Sequence, residues 1–508
     1  MMNRDAQVVH RLAPLELKLP FWRYAELFGG RPNHFLLDSA RDPEKLGRYS
    51  FIGGDPFLVF SAKRHLGAGP GAPAAVEIQR FSYDGGARTT SVEHLEAEPI
   101  GALRDLYRRY AVPRSLYEQA GSSDRVPFHA GAVGYFGYEA GYFVERLPDE
   151  GADDLALPDI WFMFVDWVLA HDAQTNQSYV SVLGRGSSEA EARASMESVL
   201  SRSVAAVRAY EATARPAWRG PAVEASEHDI DVHAHFDEAG YAALVEKAKE
   251  HIVAGDIFEV CTTHRLDAPF TGDAWDLYAE LRRINPAPFA CFLRLPGAAV
   301  VSSSPERFLR LGPDRVAESR PIKGTRPRGK DAAEDQALIQ DLEGSIKDRA
   351  ENVMIVDLVR NDLGRVSEVK SVHVPELMII ETYATVFQMV STIRGTLRAD
   401  KDLFDLIAAC FPGGSMTGAP KIEAMKIIDA LEPVKRGIYS GSIGYLDFGD
   451  TFDLNIVIRT LVVKDGRAYF SVGGAIVSDS DPVGEYRETV DKARALRRAL
   501  ANVARGQQ

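Results

Sequence analysis

The longest apolar run of the chain, Ile160 to Val165, is cut by Asp166 before apolar character resumes to Leu169. A run that short cannot cross a bilayer, and it has the form of a fully buried strand. Upstream, His129 to Glu139 (HAGAVGYFGYE) sets glycines among aromatic residues, the pattern of backbone packed tightly within a sheet. Phe35 to Ser39 and Arg48 to Gly53 read as paired strands, His65 to Pro73 as a Gly/Pro-rich loop and Glu189 to Ala212 as a helix. The stretch from Arg215 to Asp231, with two prolines and mixed charge, reads as a linker. The expected organisation is an N-terminal domain over 15–215, a linker over 216–236 and a second domain over 237–502.

At 508 residues the chain exceeds one ordinary domain, and with 45% hydrophobic and 26% charged residues it can bury a sizeable core. A formal net charge of -13 argues against a nucleic-acid partner, because phosphate contacts need a basic face. Positive charge for an anionic metabolite must then be gathered locally. The three cysteines, Cys261, Cys291 and Cys410, are scattered and form no CxxC pair, which points to a reducing compartment. With no signal-like or membrane-spanning run, a cytoplasmic protein is expected.

Pro321 to Gly329 reads PIKGTRPRG, a lysine beside a Gly-Thr turn and two arginines, with Arg320 before them. Glycine permits close backbone approach, arginine forks pair with carboxylates, and a desolvated lysine is a nucleophile. Read alone, the stretch is equally a basic surface loop. Asp237 caps a helix whose apolar positions Tyr241, Leu244, Val245, Ala248 and Ile252 run until Gly255, and the strand Ile257 to Leu266 carries Glu259. Asp331 to Arg360 reads as helical, with Asp348 and Glu351 three apart on one face. Asp481 and Pro482 open a last helix on which Glu485, Glu488 and Lys492 recur at intervals of three and four. Each acidic pair is also what a solvated helix face carries; two pairs beside Gly-rich turns can instead hold a hard cation such as Mg2+. Phe411 to Lys421 (FPGGSMTGAPK) offers backbone N–H groups to an anion or forms a capped turn. Phe452 to Val463 and Ala468 to Val477 read as a hairpin around Asp465-Gly466, with Arg459 in its first strand opposite Gly473 and Gly474, where bare backbone leaves room for a ligand.

These motifs, in this order, resemble the chorismate-binding enzymes, which include component I of anthranilate synthase and of aminodeoxychorismate synthase, and the isochorismate synthases. The resemblance rests on PIKGTRPRG, SIKDRAENVMIVDLVRNDLGRV from Ser345, FPGGSMTGAPK, GSIGY from Gly441, NIVIRT from Asn455 and EYRETVDK from Glu485. LLDS at Leu36 to Ser39 and GRYSFIG from Gly47 resemble the N-terminal part of component I proteins. The resemblance implies an α+β fold, an α/β sandwich of antiparallel sheets with outer helices and an N-terminal component I subdomain. It implies Mg2+ at Glu351 and Glu488, with Asp348 and Glu485 beside them. Chorismate would be bound by Gly324, Thr325, Ser415, Tyr439, Arg459, Gly473, Gly474 and Lys492. An amino acid pocket, usually for tryptophan, maps onto Ser39, Pro288 and Phe289, residues that equally suit core packing.

Lys323, the KDRAEN form with Asp348 and Asn352, and Ala287-Pro288-Phe289 resemble the aminodeoxychorismate branch. The implied chemistry has Lys323 attack C2 of chorismate, Glu306 protonate the departing 4-hydroxyl, and ammonia then attack C4. The product would be 4-amino-4-deoxychorismate, on the way to p-aminobenzoate and folate. Burial and a cation would both lower the pKa of Lys323, as the attack requires. Gln388 stands where anthranilate synthases carry a histidine tied to pyruvate elimination, Ala475 replaces a common glycine and Glu259 a common glutamine. Anthranilate synthase component I, serving tryptophan synthesis, is the alternative; a non-catalytic chorismate- or tryptophan-binding regulator and an isochorismate-type hydratase are weaker ones. None of the cysteines has the Gly-rich setting of a class I glutaminase, so the ammonia is expected from a separate glutamine amidotransferase, component II.

Overall fold

The computed structural model describes residues 7–84, 87–122, 125–383 and 386–506. Ile160–Val165 is a strand buried on both faces: Ile160, Phe162 and Phe164 enter one core, Trp161, Met163 and Val165 another. Side chains alternate between the faces of a sheet, so a strand between two apolar layers has no position left for a polar residue. Gly134, on the neighbouring strand Gly131–Phe136, belongs to the same packing, because a Cβ there would run into the Trp161 carbonyl.

Among the described residues two 12-stranded sheets, their strands paired antiparallel, lie face to face over a shared core that includes Phe35, Phe51, Leu293 and Val300 from one and Val133, Trp161 and Ile443 from the other. In the first sheet Tyr49–Gly54 and His34–Asp38 continue through Phe289–Leu295 and Ala298–Ser304 into Thr460–Lys464, Arg467–Ile476 and Glu259–Pro269. In the second, Ile322–Pro327, Val386–Thr396, Val316–Ser319, Arg307–Leu311, Thr451–Asn455 and Ser442–Asp447 continue into Gly131–Phe136, Ile160–Val165 and Leu58–Lys63. Pairs such as Leu36 with Phe292 and Gly134 with Gly444 stitch early chain to late chain in both sheets.

Helices close the outer faces. Glu189–Thr213, Ala274–Ile284 and Pro482–Gly506 pack on the first sheet through a core holding Leu36, Ile52, Phe292 and Leu500. Pro99–Tyr110, Ile346–Gly364 and Leu403–Cys410 cover the second around Phe60, Phe162, Ile355 and Leu454. Each such side chain contributes about 1.5–3 kcal/mol through burial. This is the α+β sandwich with outer helices that the motifs imply. No helix among the described residues is long and apolar enough to cross a membrane.

Local signals account for several boundaries. The Asp237 carboxylate accepts from Gly240 N, and Gly255 at φ 85 ends the helix Glu238–Ala254. The span over 331–360 is helical as expected, in two helices, Ala332–Gly344 and Ile346–Gly364, divided at Ser345, whose Oγ accepts from Asp348 N and caps the second. The expected hairpin is shorter. Thr451–Asn455 belongs to the second sheet and Thr460–Lys464 to the first, so Arg459, at φ 51, lies on the connection between sheets and not inside a strand.

Buried ions hold this architecture at its joints. Arg436 donates to both carboxylate oxygens of Glu432 (2.6 and 2.8 Å), to Met416 O and to Cys261 O (each 2.7 Å), and its guanidinium lies over the Tyr138 ring. Its own N–H and that of Gly437 donate to Glu139. Substituting Arg436→Ala strands Glu432 in the interior and is predicted to destabilise the protein by roughly 3–5 kcal/mol, read as a lowered urea midpoint.

Candidate active site

A bulge in the pairing of Ile322–Pro327 with Val386–Thr396, between Ile322 and Thr325, turns Lys323 inward and leaves Thr325 exposed opposite Gln388. Gly324 adopts φ 87, and a Cβ there would fall 2.8 Å from Leu342 and 2.9 Å from Asp348, so only glycine lets the strand meet the two helices this closely. Lys323 Nζ donates to Glu259 Oε1 at 2.8 Å and lies 3.8 Å from Glu351 Oε2. Lys347 Nζ stands 3.9 Å from Glu351 Oε1 and 3.6 Å from Glu485 Oε1. Lys492 Nζ joins Glu488 Oε1 and Gly473 O, each at 2.7 Å. Lysines and acids thus alternate from the strand Ile322–Pro327 across the helix Ile346–Gly364 to the helix Pro482–Gly506.

The charge states follow from this order. Burial alone would lower the pKa of Lys323, but Glu259 and Glu351 outweigh it and hold the ammonium above its ordinary value. The direction is the reverse of the one expected for this lysine, and the cause is the acid beside it. Burial pushes Glu351 up to about 7 against the pull of Lys323. In Glu488 burial is outweighed by Lys492, and the carboxyl is held below its ordinary value.

Glu306 lies immediately before the strand Arg307–Leu311, and its carboxylate accepts from Ile322 N at 3.4 Å, one residue from Lys323. Burial pushes its pKa up to about 7, restrained by the Ser415 hydroxyl and that N–H, so it retains its proton close to neutrality. Tyr439 and Thr460 line a small buried cavity with Arg265 and Arg436. The neighbouring Arg459 is half-buried; burial depresses its pKa and no acid offsets it among the described residues. A guanidinium in this setting is an open receptor for a carboxylate.

Gly473 and Gly474 have reasons of their own to lack side chains. A Cβ on Gly473 would run into the Thr262 carbonyl of the adjacent strand, and one on Gly474 would fall 2.7 Å from Glu485 Oε2. Bare backbone is demanded by the sheet at Gly473, before any ligand is considered, whereas at Gly474 only the end of the Glu485 side chain would have to move. Asp348 is engaged by Arg326 at 3.1 Å. Ser39, Pro288 and Phe289 are elsewhere, lining a cavity of about 170 Å³ between the sheets together with Arg307, Tyr445 and Asn455.

Among the described residues no three Asp, Glu, His or Cys side chains form a closed metal-ligand group. The donor set nonetheless suits a hard cation. Glu351 Oε1 is buried without a hydrogen bond, and Glu351 and Glu485 already flank one positive charge, that of Lys347. Two contributors, Glu259 and Lys347, have no assigned role in the sequence reading. Alternation of Glu259, Cys261 and Thr263 toward one face of their strand is the signal that could have placed the first.

Residues 60–498 match the family described as chorismate binding enzyme. An aminodeoxychorismate synthase of Streptomyces pristinaespiralis is 40% identical over 492 residues, 95% of this chain; the chain spans 64% of that protein's length. Anthranilate synthase component 1 of Cereibacter sphaeroides is 37% identical over 495 residues, covering 97% of this chain and 94% of the relative. Among solved structures, anthranilate synthase component I from Streptococcus pneumoniae TIGR4 superposes with a TM-score of 0.70 at 28% identity, over 89% of this chain and 92% of that one.

The elevated pKa of Glu306 has a measurable sign. Its value rises from 4.5 to about 7 on folding, so the fold binds the proton more tightly than the unfolded chain. Its favourable contribution is complete below the unfolded value and is lost as pH rises through the folded one, leaving a buried carboxylate that costs about 3 kcal/mol at pH 8. Glu306→Gln cannot ionise, and is predicted to exceed the parent in stability by about 3 kcal/mol at pH 8 and by less than about 1 kcal/mol at pH 5, measured by urea unfolding.

Proposed function

We propose, since this chain belongs to the chorismate-binding enzymes, that among chorismate-utilising reactions it converts chorismate and ammonia into 4-amino-4-deoxychorismate. The observation that carries the reading is Lys323: a buried primary amine fixed by an acid, one residue along the backbone from the N–H that holds the protonated Glu306. An amine and a carboxylic acid so placed supply the two functions that displacement of a ring hydroxyl needs, a nucleophile and a proton for the leaving group.

In this reading the Lys323 ammonium first releases one proton to solvent, and Nζ then bonds through its lone pair to C2 of chorismate. The ring double bonds shift, the C4–O bond breaks, and Glu306 gives its proton so that the hydroxyl leaves as water. Ammonia bonds to C4, the double bonds shift back, and Lys323 departs with its electron pair while the surplus proton on nitrogen restores Glu306. The balance is chorismate plus ammonia to 4-amino-4-deoxychorismate plus water. Arg459 receives one substrate carboxylate, and Ser415 and Tyr439 border the ring. Glu351, Glu485 and Glu488 would hold Mg2+, with Asp348 retained by Arg326; when bound, the cation supplies positive charge against the other substrate carboxylate. All three cysteines are buried, in keeping with ammonia delivered by a partner glutamine amidotransferase.

A second reading, anthranilate synthase component I, is favoured by the C. sphaeroides relative, matched along nearly its whole length. The two separate in a product assay with purified protein, chorismate, Mg2+ and a high ammonium concentration. The proposed activity predicts p-aminobenzoate only when an aminodeoxychorismate lyase is added, and a loss of at least about 1,000-fold in kcat for Lys323→Ala. Fluorescent anthranilate without the lyase would establish the second reading, and unconsumed chorismate would favour a regulatory binder.

A further inference from the structure

Glu259 is fully buried, and its interior position is expensive. One oxygen, Oε1, accepts from Lys323 at 2.8 Å; the other, Oε2, has no hydrogen-bond partner. A carboxylate removed from water with half its acceptors unused destabilises a fold unless something else requires it. The backbone around it is held firmly. Phe258 N donates to Ala419 O and Cys261 N to Thr417 O, each at 2.8 Å, and Gly418 must lack a side chain because a Cβ would run into the Glu259 carbonyl. The short strand Gly418–Ala419 therefore grips the strand Glu259–Pro269 at the residue that meets Lys323. Lys323 itself sits on a bulged strand beside a glycine in the left-handed region: the bulge turns the side chain inward, and its end, four methylenes from the backbone, is placed by what Nζ meets. Its next nearest acid, Glu351, is a full ångström further away, on the face suited to the cation.

We propose that Glu259 is the positioning residue for Lys323: a rigidly mounted carboxylate whose Oε1 fixes where Nζ stands, and so where the C2 bond forms. The inference rests on the reading of Lys323 as nucleophile. It assigns Glu259 a geometric role, which separates two substitutions that a purely electrostatic or structural role would not. Glu259→Gln keeps an acceptor oxygen at the same reach and loses the charge. Glu259→Asp keeps the charge and withdraws it by one methylene. Misplacing a reacting group by about 1 Å can cost on the order of 100-fold in rate.

The test uses purified full-length protein with chorismate and Mg2+ but no ammonium, quenched in acid over time and read by mass spectrometry for chorismate minus water on the peptide containing Lys323. Chorismate binding is measured in parallel by calorimetry. Adduct formation is expected to slow by about 100-fold in Glu259→Asp, while Glu259→Gln stays within about tenfold of the parent and both bind chorismate within about twofold. An Asp variant at the parental rate, or a Gln variant as slow as the Asp variant, overturns the positioning role. If the parent consumes chorismate with ammonium yet never carries the adduct on Lys323, the nucleophile reading fails first and takes this inference with it.

Discussion

The central strands of both sheets are buried on both faces, and in such an interior every charged group must bring its partner along. The rule is kept with few exceptions. Arg436 is matched to Glu432, Arg307 to Asp453 and Glu318, and Lys435 to Asp149 and Asp429. Three of the lapses concern acids and a cation near Lys323 and Glu306. Glu259 has an idle oxygen, Glu351 has another, and Arg459 carries a positive charge that no acid among the described residues answers. Glu259 and Glu351 flank Lys323, and Arg459 lies on a connection whose Ile456 N–H donates to the Glu306 carbonyl, so these three incompletely paired groups fall in one region. Incomplete pairing around perturbed acids is what a site for a charged ligand requires, because the ligand supplies the missing partners.

Much of this was legible before any coordinates. The apolar run at Ile160 and the glycine among aromatics at Gly134 each follow from a strand wedged between two layers. The Asp237 cap and the Gly255 stop act over a few residues and hold in the fold. What failed depended on distant chain. Arg459 leaves its strand because the chain must cross from one sheet to the other there, whereas the helical span over 331–360 holds and is only divided by the local Ser345 cap. The charge on Lys323 ran opposite to expectation for the same reason: Glu259 lies 64 positions away in sequence and 2.8 Å away in space. Gly473 looked like a ligand's landing place, and its bareness is demanded by a neighbouring strand.

Sequence similarity spreads across this family without regard to product. The two relatives differ by three percentage points in identity, 40% and 37%, and carry different names. A shared sandwich fixes where strands and helices go; the reaction depends on a handful of side chains within it. Lys323 and the acids that hold it occupy a small part of a scaffold that a 28% identical structure already reproduces.

The stitching of early to late chain has a consequence for the cavity lined by Ser39, Pro288 and Phe289. Asp38 pairs with Ala290 in the first sheet, so the wall of that cavity is a seam between two stretches of chain some 250 positions apart. From the same rim, Lys45 reaches Glu381, and Glu381 holds Arg320, three residues before Lys323. Either half alone would present raw strand edges at Phe289–Leu295 and Gly131–Phe136, ready to pair with another molecule. Joined, they make a container whose first wall carries the seam and whose second wall is late chain, so a molecule filling it would touch both halves at once.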